Sequence, residues 1–236
     1  MTFKSYAVIC AVSIALFAGH EALAATENQR SVSRTELSAS KKTFTATAPI
    51  DSHESNVKET VPGDLIADAM RDAAGVDMAF VPAAEIADLD IPAGPTNANE
   101  LLKFLRYKDD PSDTIDILTL SFSQILKASE RSVQRLPEPF DGFLQISGLQ
   151  LQYDAKAPVG KRITIAGTSG SELTDNRTYR VAMPQSLADG DFGYFTVWQS
   201  EQITGRTGVS LATALSKYLI NHGTITGTPD KRITAQ

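Results

Sequence analysis

The chain has 236 residues, a formal net charge of −6, one cysteine and three histidines. That length fits one large domain or two small ones. The acidic balance argues against sequence-independent binding of nucleic acid.

Met1 to Tyr6 carries one positive side chain, Lys4, and Ala7 to Gly19 is an uncharged apolar run. The run is too short to cross a bilayer comfortably as a helix, which weighs against a membrane anchor. It is followed by Ala22-Leu23-Ala24, a small-x-small cleavage site. The three parts together predict a secretory signal peptide over residues 1–24, cleaved after Ala24, and a periplasmic or extracellular destination. Cleavage removes Cys10, so the mature chain is expected to hold its core without disulfides. No later segment is apolar and long enough to span a membrane. Residues 25–56 are rich in Ser, Thr and Ala with almost no apolar periodicity, and they predict a flexible arm.

Order is expected over residues 57–225. GDLIADAMRDAA, from Gly63 to Ala74, has Ile66, Met70 and Ala73 at helical spacing and Gly75 as its stop. Glu59, Asp64 and Asp68 read as helix-start electrostatics. Val76 to Val81 predicts a buried strand, and Pro92 to Pro95 a turn. Asn97 and Glu100 have capping-box spacing ahead of a helix running to about Tyr107. KDDPSD is a loop, Thr114 to Leu120 a strand, and Ser121-x-x-Gln124 caps a helix through about Arg135. Lys161 to Ala166 and Thr178 to Met183 predict strands, DGDFGY a glycine-punctuated loop, and Leu211 to Leu219 a last helix. Residues 226–236 form a polar tail with one short strand expected around Ile233. Tyr153 and Trp198 read as packing residues. Helices interspersed with alternating central strands favour an α+β fold over a doubly wound parallel sheet.

Between these elements lies GFLQISGLQLQYDAKAPVGKR, from Gly142 to Arg162. Leu144 and Ile146 alternate with Gln145, and Leu149, Leu151 and Tyr153 with Gln150 and Gln152, as in a sheet with one buried face. The apolar phase slips by one residue at Ser147-Gly148, which predicts a bulge or tight bend. This stretch resembles the C-terminal domain of 5'-nucleotidases. Other motifs follow the same order: ETVPGDLIADAM from Glu59 to Met70, the turn Ile91-Pro92-Ala93-Gly94, the passage Thr114 to Gln124, the segment Glu130 to Val133, and LADGDFGY from Leu187 to Tyr194. The likeness runs from about Lys58 to Gly223. It implies an α+β fold of stacked β-sheets with helices packed outside.

In that family the C-terminal domain holds the substrate and a separate metallophosphatase domain performs hydrolysis. The resemblance therefore implies a substrate-binding domain standing alone, without catalytic residues, metal or cofactor of its own. A two-metal phosphatase needs a cluster of His and carboxylate ligands, and neither G-N-H-[DE] nor G-H-x-H occurs in this sequence. The expected partners are a separately encoded metallophosphatase and a nucleoside, nucleotide or other small ligand.

The family's nucleotide contacts carry over position by position. In its N-G-G-G-I-R loop the Asn position is Ala83, the three glycines are Ala84, Glu85 and Ile86, and the Arg is Asp88. A cation suited to phosphate has become an anion. An earlier Arg corresponds to Lys58. The first aromatic clamp falls at or beside Pro111, the second at Ser186, and the ribose-binding Asp at Phe192. Gly190 and Gly193 persist as the glycines of a tight loop. Phe192 and Tyr194 either stack a ligand or fill the underside of that loop. With Asp88, Asp109, Asp110 and Asp113 the former site is expected to be acidic. The candidate substrate-binding residues are thus Lys58, Asp88, Asp113, Ser186, Gly190, Phe192, Gly193 and Tyr194. Two functions fit: a non-catalytic binding or specificity subunit with a degenerate nucleotide site, or a binding module that no longer recognises nucleotides.

Overall fold

The structure, a computed structural model, describes residues 42–236 apart from 111, 169–170, 175 and 223. The expected signal peptide, most of the expected arm and Pro111 lie outside the described residues. The fold is the expected α+β arrangement. At its centre is a five-stranded sheet in the order Ile203–Ser210, Thr114–Ser121, Thr178–Pro184, Met78–Pro82 and Leu144–Ser147. Only Thr178–Pro184 and Met78–Pro82 run parallel; the other neighbours are antiparallel.

The central sheet is covered on both faces, and one strand shows how. Along Met78–Pro82 every residue is buried. Ala79 and Val81 join a core with Ile66 and Met70 of the helix Val61–Ala74 and Leu215 and Leu219 of the helix Leu211–Asn221. Met78 and Phe80 point the other way, into a core with Ile125 of the helix Phe122–Val133, Trp198 and Leu151. A strand buried on both faces is written as a continuous apolar run because neither pleat meets water. The second core also receives Ile163, Ala166 and Ile233 from a four-stranded sheet, Ser171–Glu172, Ile163–Thr168, Gln150–Tyr153 and Ile233–Ala235. Two sheets thus stack, with helices on the outside.

The helix boundaries have local causes. Thr60 caps Val61–Ala74 by accepting from the Gly63 N–H, Pro62 sits in its first turn, and Gly75 closes it in the left-handed region at φ 59°. Ser121 and Gln124 form the predicted capping box in full. The helix after Asn97 is shorter than expected and spans Ala98–Leu102. Beyond it the backbone is taken by cross-chain pairing: Phe104 accepts from the Ala87 N–H, and the Arg106 N–H donates to Glu85.

The stretch from Gly142 to Arg162 does something its pattern did not announce. Leu144–Ser147 belongs to the central sheet and Gln150–Tyr153 to the four-stranded one. The phase slip at Gly148 is a change of sheet. Gly148 has φ 75°, and a Cβ there would lie 2.2 Å from the Asp77 carbonyl oxygen. Nor is Gln145 on a solvent face: it is fully buried, accepting from the Thr60 N–H and donating to the Ser55 and Lys58 carbonyls.

Several expectations need correction. Residues 43–51, placed in the flexible arm, form strands Thr43–Ala46 and Ile50–Asp51 with Phe44, Ala46 and Ile50 buried. The expected turn at Pro92 to Pro95 leads into a strand, Gly94–Asn97, paired antiparallel with Thr43–Ala46. The strand Ile203–Ser210 was not foreseen. Finally, the polar tail is part of the domain. Ile233–Ala235 pairs parallel with Gln150–Tyr153, and Glu59 accepts from the N–H groups of Arg232 and Ile233. Glu59, Asp64 and Asp68 therefore hold the tail as well as the start of the helix. No helix among the described residues is long and apolar enough to cross a membrane.

Candidate functional site

Three connections meet at one end of the central sheet. Strand Met78–Pro82 ends in the short 3-10 turn Ala83–Glu85. Its parallel neighbour Thr178–Pro184 ends in the turn Gln185–Ala188, which continues through Asp191–Thr196. Strand Thr114–Ser121 runs the opposite way, so its start lies beside their ends, with Ile115 paired to Pro184. The loop leading into it therefore arrives at the same place. These three connections enclose a cavity of about 370 Å³, a size suited to a small molecule.

The cavity is acidic. Glu85, Asp110, Asp113, Asp189 and Asp191 line it with Tyr107, Ser112, Gln185, Ser186, Phe192 and Ala84, and no Lys or Arg does so among the described residues. Glu85 is the most enclosed carboxylate, 4 % exposed. Its Oε1 accepts from Ser186 Oγ at 3.3 Å, while its Oε2 has no hydrogen-bond partner. Burial, with repulsion from Asp113, pushes the Glu85 carboxyl up to about 7. Burial and Asp110 likewise push Asp113 up to about 6. Asp110 goes the other way, held low by hydrogen bonds from the hydroxyl and backbone N–H of Ser112. Arg106 is nearby but occupied: Nε and Nη2 each lie 2.8 Å from the Ala84 and Ile86 carbonyls respectively.

Of the eight candidates, Asp113, Ser186 and Phe192 are brought together in the wall. Phe192 sits at φ 55°, a left-handed backbone that bulky residues seldom adopt. It is held there from below, where Arg131 Nε donates to its carbonyl at 2.7 Å. Gly190 and Gly193 shape this turn and are not in the wall. At Gly193, φ 77°, a Cβ would collide with the Arg131 guanidinium, so the close approach requires glycine.

Three candidates belong elsewhere. Tyr194 is fully buried beneath the turn; its hydroxyl donates to the Gly142 carbonyl at 2.9 Å and its ring stacks on Trp198. It fills the underside of the loop, and burial pushes its phenol up. Lys58 is exposed and paired with Glu54 at 2.5 Å. Asp88 is exposed and lies 2.5 Å from His53 Nδ1. Neither lines the cavity. At Asp88 the chain has turned away after Glu85: Ala87 and Leu89 bond to residues of other segments. The acidity predicted from Asp88 and Asp109 comes instead from Glu85, Asp189 and Asp191. Asp109 pairs with Lys108 in solvent.

Sequence reasoning missed Glu85 and Tyr107. A signal for Glu85 was present: it is the one charge in Phe80 to Ile86, and it stands where the resemblance calls for glycine. Tyr107 adds an aromatic residue to the lining from a position before the expected clamp. Among the described residues no group of three His, Cys, Asp or Glu is placed to hold a metal ion.

Comparison with known proteins agrees with the fold. The chain is 28 % identical to a 5'-nucleotidase of Diplobatis ommata over 134 residues, covering 53 % of this chain and 22 % of that protein. A 5'-nucleotidase precursor from Thermus thermophilus superposes with a TM-score of 0.70 at 24 % identity, over 93 % of this chain and 43 % of the other. The Haemophilus influenzae NAD nucleotidase gives 0.69 at 17 % identity, over 93 % and 42 %. The chain thus spans less than half the length of these proteins. The family model described as "5'-nucleotidase, C-terminal domain" matches residues 38–199, which include the central sheet strands up to Pro184 and all three connections of the cavity, and the chain belongs to that family.

Proposed function

We propose that this chain is an exported small-molecule-binding domain that does not hydrolyse phosphate esters by itself and whose site rejects phosphorylated ligands. The observation that carries the reading is the cavity wall: five carboxylates and, among the described residues, no cation. A phosphate monoester brings about −1.5 to −2 charges at neutral pH. Placed among carboxylates without an Arg or Lys to receive it, it is repelled and its oxygens find few donors. Gln185 and the hydroxyls of Ser112, Ser186 and Tyr107 remain to orient an uncharged or cationic ligand. Calorimetry with AMP and adenosine tests the reading. Micromolar binding of AMP to the pure protein would sink it, as would phosphatase activity of the metal-supplemented chain.

Family membership favours a second reading of the same site. The resemblance assigns hydrolysis to a metallophosphatase domain, so this chain serves as the binding or specificity subunit of a separately encoded metallophosphatase. Affinity capture of the exported protein from its own source should then recover such an enzyme. Recovery of none, with phosphatase activity of the extract unchanged by adding the chain, counts against it.

A further inference from the structure

Resting on the binding reading above, we propose that the cavity takes a small organic cation through a primary ammonium group that donates to the Glu85 carboxylate in the wall shared with Tyr107 and Phe192.

The first argument is an unmet hydrogen bond. Glu85 is 4 % exposed and part of the cavity wall, yet only one of its carboxylate oxygens has a partner. Buried carboxylate oxygens without donors are costly and uncommon. Ser186 already serves Oε1, and Arg106 is tied to two backbone carbonyls. The unmet acceptor makes the Glu85 carboxylate the group of this wall that gains most from a donor.

The second argument is charge. Asp113, Asp189 and Asp191 line the same space, so the donor that gains most is a positive one. Arg206 is engaged with Asp116 at 2.8 Å and lies 3.9 Å from Asp189. A bare metal ion needs several ligands converging on one point, and no such group occurs among the described residues. The carboxylates are spread round a cavity of about 370 Å³, which suits an organic cation.

The third argument concerns the kind of cation. Tyr107 and Phe192 line the same space as the acids, and an ammonium over an aromatic face gains further attraction. Rings alone would accept a quaternary ammonium equally well. The Glu85 carboxylate would not, because a quaternary nitrogen has no N–H to give.

The test is calorimetry on the full mature chain with putrescine, choline, adenosine and AMP. Saturable one-to-one binding of putrescine, weakened about tenfold or more in Glu85→Gln and weaker still for choline, supports the proposal. Choline bound as tightly as putrescine, or putrescine affinity unchanged in Glu85→Gln, overturns it. Should Glu85→Gln fail to melt cooperatively, Asp191→Asn at an exposed part of the wall serves instead, with several-fold weaker putrescine binding expected and unchanged affinity counting against the proposal. Adenosine binding without putrescine binding overturns this inference and leaves the binding-domain reading standing. Micromolar binding of AMP overturns both.

Discussion

The guanidinium of Arg232 forks onto the carboxylate of Asp68, with Nη1 2.9 Å from Oδ1 and Nη2 2.8 Å from Oδ2. This joins the tail to the helix Val61–Ala74 across most of the ordered chain. Asp230 and the Ile146 carbonyl also accept from Arg232, and Asp64 lies 3.6 Å away. Burial pushes the Asp64 carboxyl up to about 8, with Arg232 pulling the other way. Removing the arginine leaves these acids without their cation. Arg232→Ala should cost about 3–5 kcal/mol, read from urea unfolding. Arg232→Lys should recover only part, because an ammonium cannot reproduce the fork.

Glu85 should make stability depend on pH with an unusual sign. Its folded value is about 7 against an ordinary 4.5. Between those values the folded chain holds more protons than the unfolded one, so stability falls as pH rises through this window. The full penalty, at most about 3 kcal/mol, is present above pH 7. Glu85→Gln should therefore gain on the parent chain from pH 5 to pH 8. Melts at the two pH values giving an equal difference would contradict this. Asp113, raised to about 6, acts with the same sign in a lower window.

Tyr194 offers a clean separation of scaffold from site. Its hydroxyl donates to the buried Gly142 carbonyl and also meets Ser132. Tyr194→Phe should cost about 1 kcal/mol in denaturant unfolding and leave ligand affinity unchanged. A change in affinity with stability intact would return Tyr194 to the binding surface.

A chain begun at Val57 tests the status of the preceding segment. It loses the buried side chains of Phe44 and Ile50. It also loses Ser52, whose hydroxyl donates to the Ala87 carbonyl and accepts from the Leu89 N–H. At roughly 1.5–3 kcal/mol for each large apolar side chain, unfolding should come at clearly lower urea than for a chain begun at residue 42. Coincident midpoints would show that the segment adds nothing.

What could be read in the sequence was whatever obeys a local rule. Gly75 and the pair Ser121 and Gln124 announce helix ends because capping is decided within four residues. Met78 to Val81 announces burial because both pleats are apolar. What could not be read depends on distant partners. Phe44 in a Thr-rich arm gains its meaning from a strand beginning at Gly94, and Arg232 in a polar tail from three aspartates, two of them far upstream. Ile203–Ser210 carries two glycines and an arginine, and takes its shape from pairing with Thr114–Ser121. At the site, Ser186 and Phe192 are reached by counting from recognisable motifs and Asp113 from the acidic run of its loop, and all three line the cavity. Asp88 lies outside because the backbone leaves the cavity after Glu85, and Lys58 because it pairs with Glu54 in solvent.

The support of the turn at Phe192 has a consequence for how such a site changes over time. Arg131 grips the main-chain carbonyl of Phe192, and Gly193 makes room for it. That grip is indifferent to the side chains displayed above. Asp189 and Asp191, both exposed, can be exchanged while the turn keeps its shape. Replacing both by lysine would take the formal charge of the five-carboxylate wall from −5 to −1 and change its choice of ligand. The fold and the ligand can therefore be inherited separately.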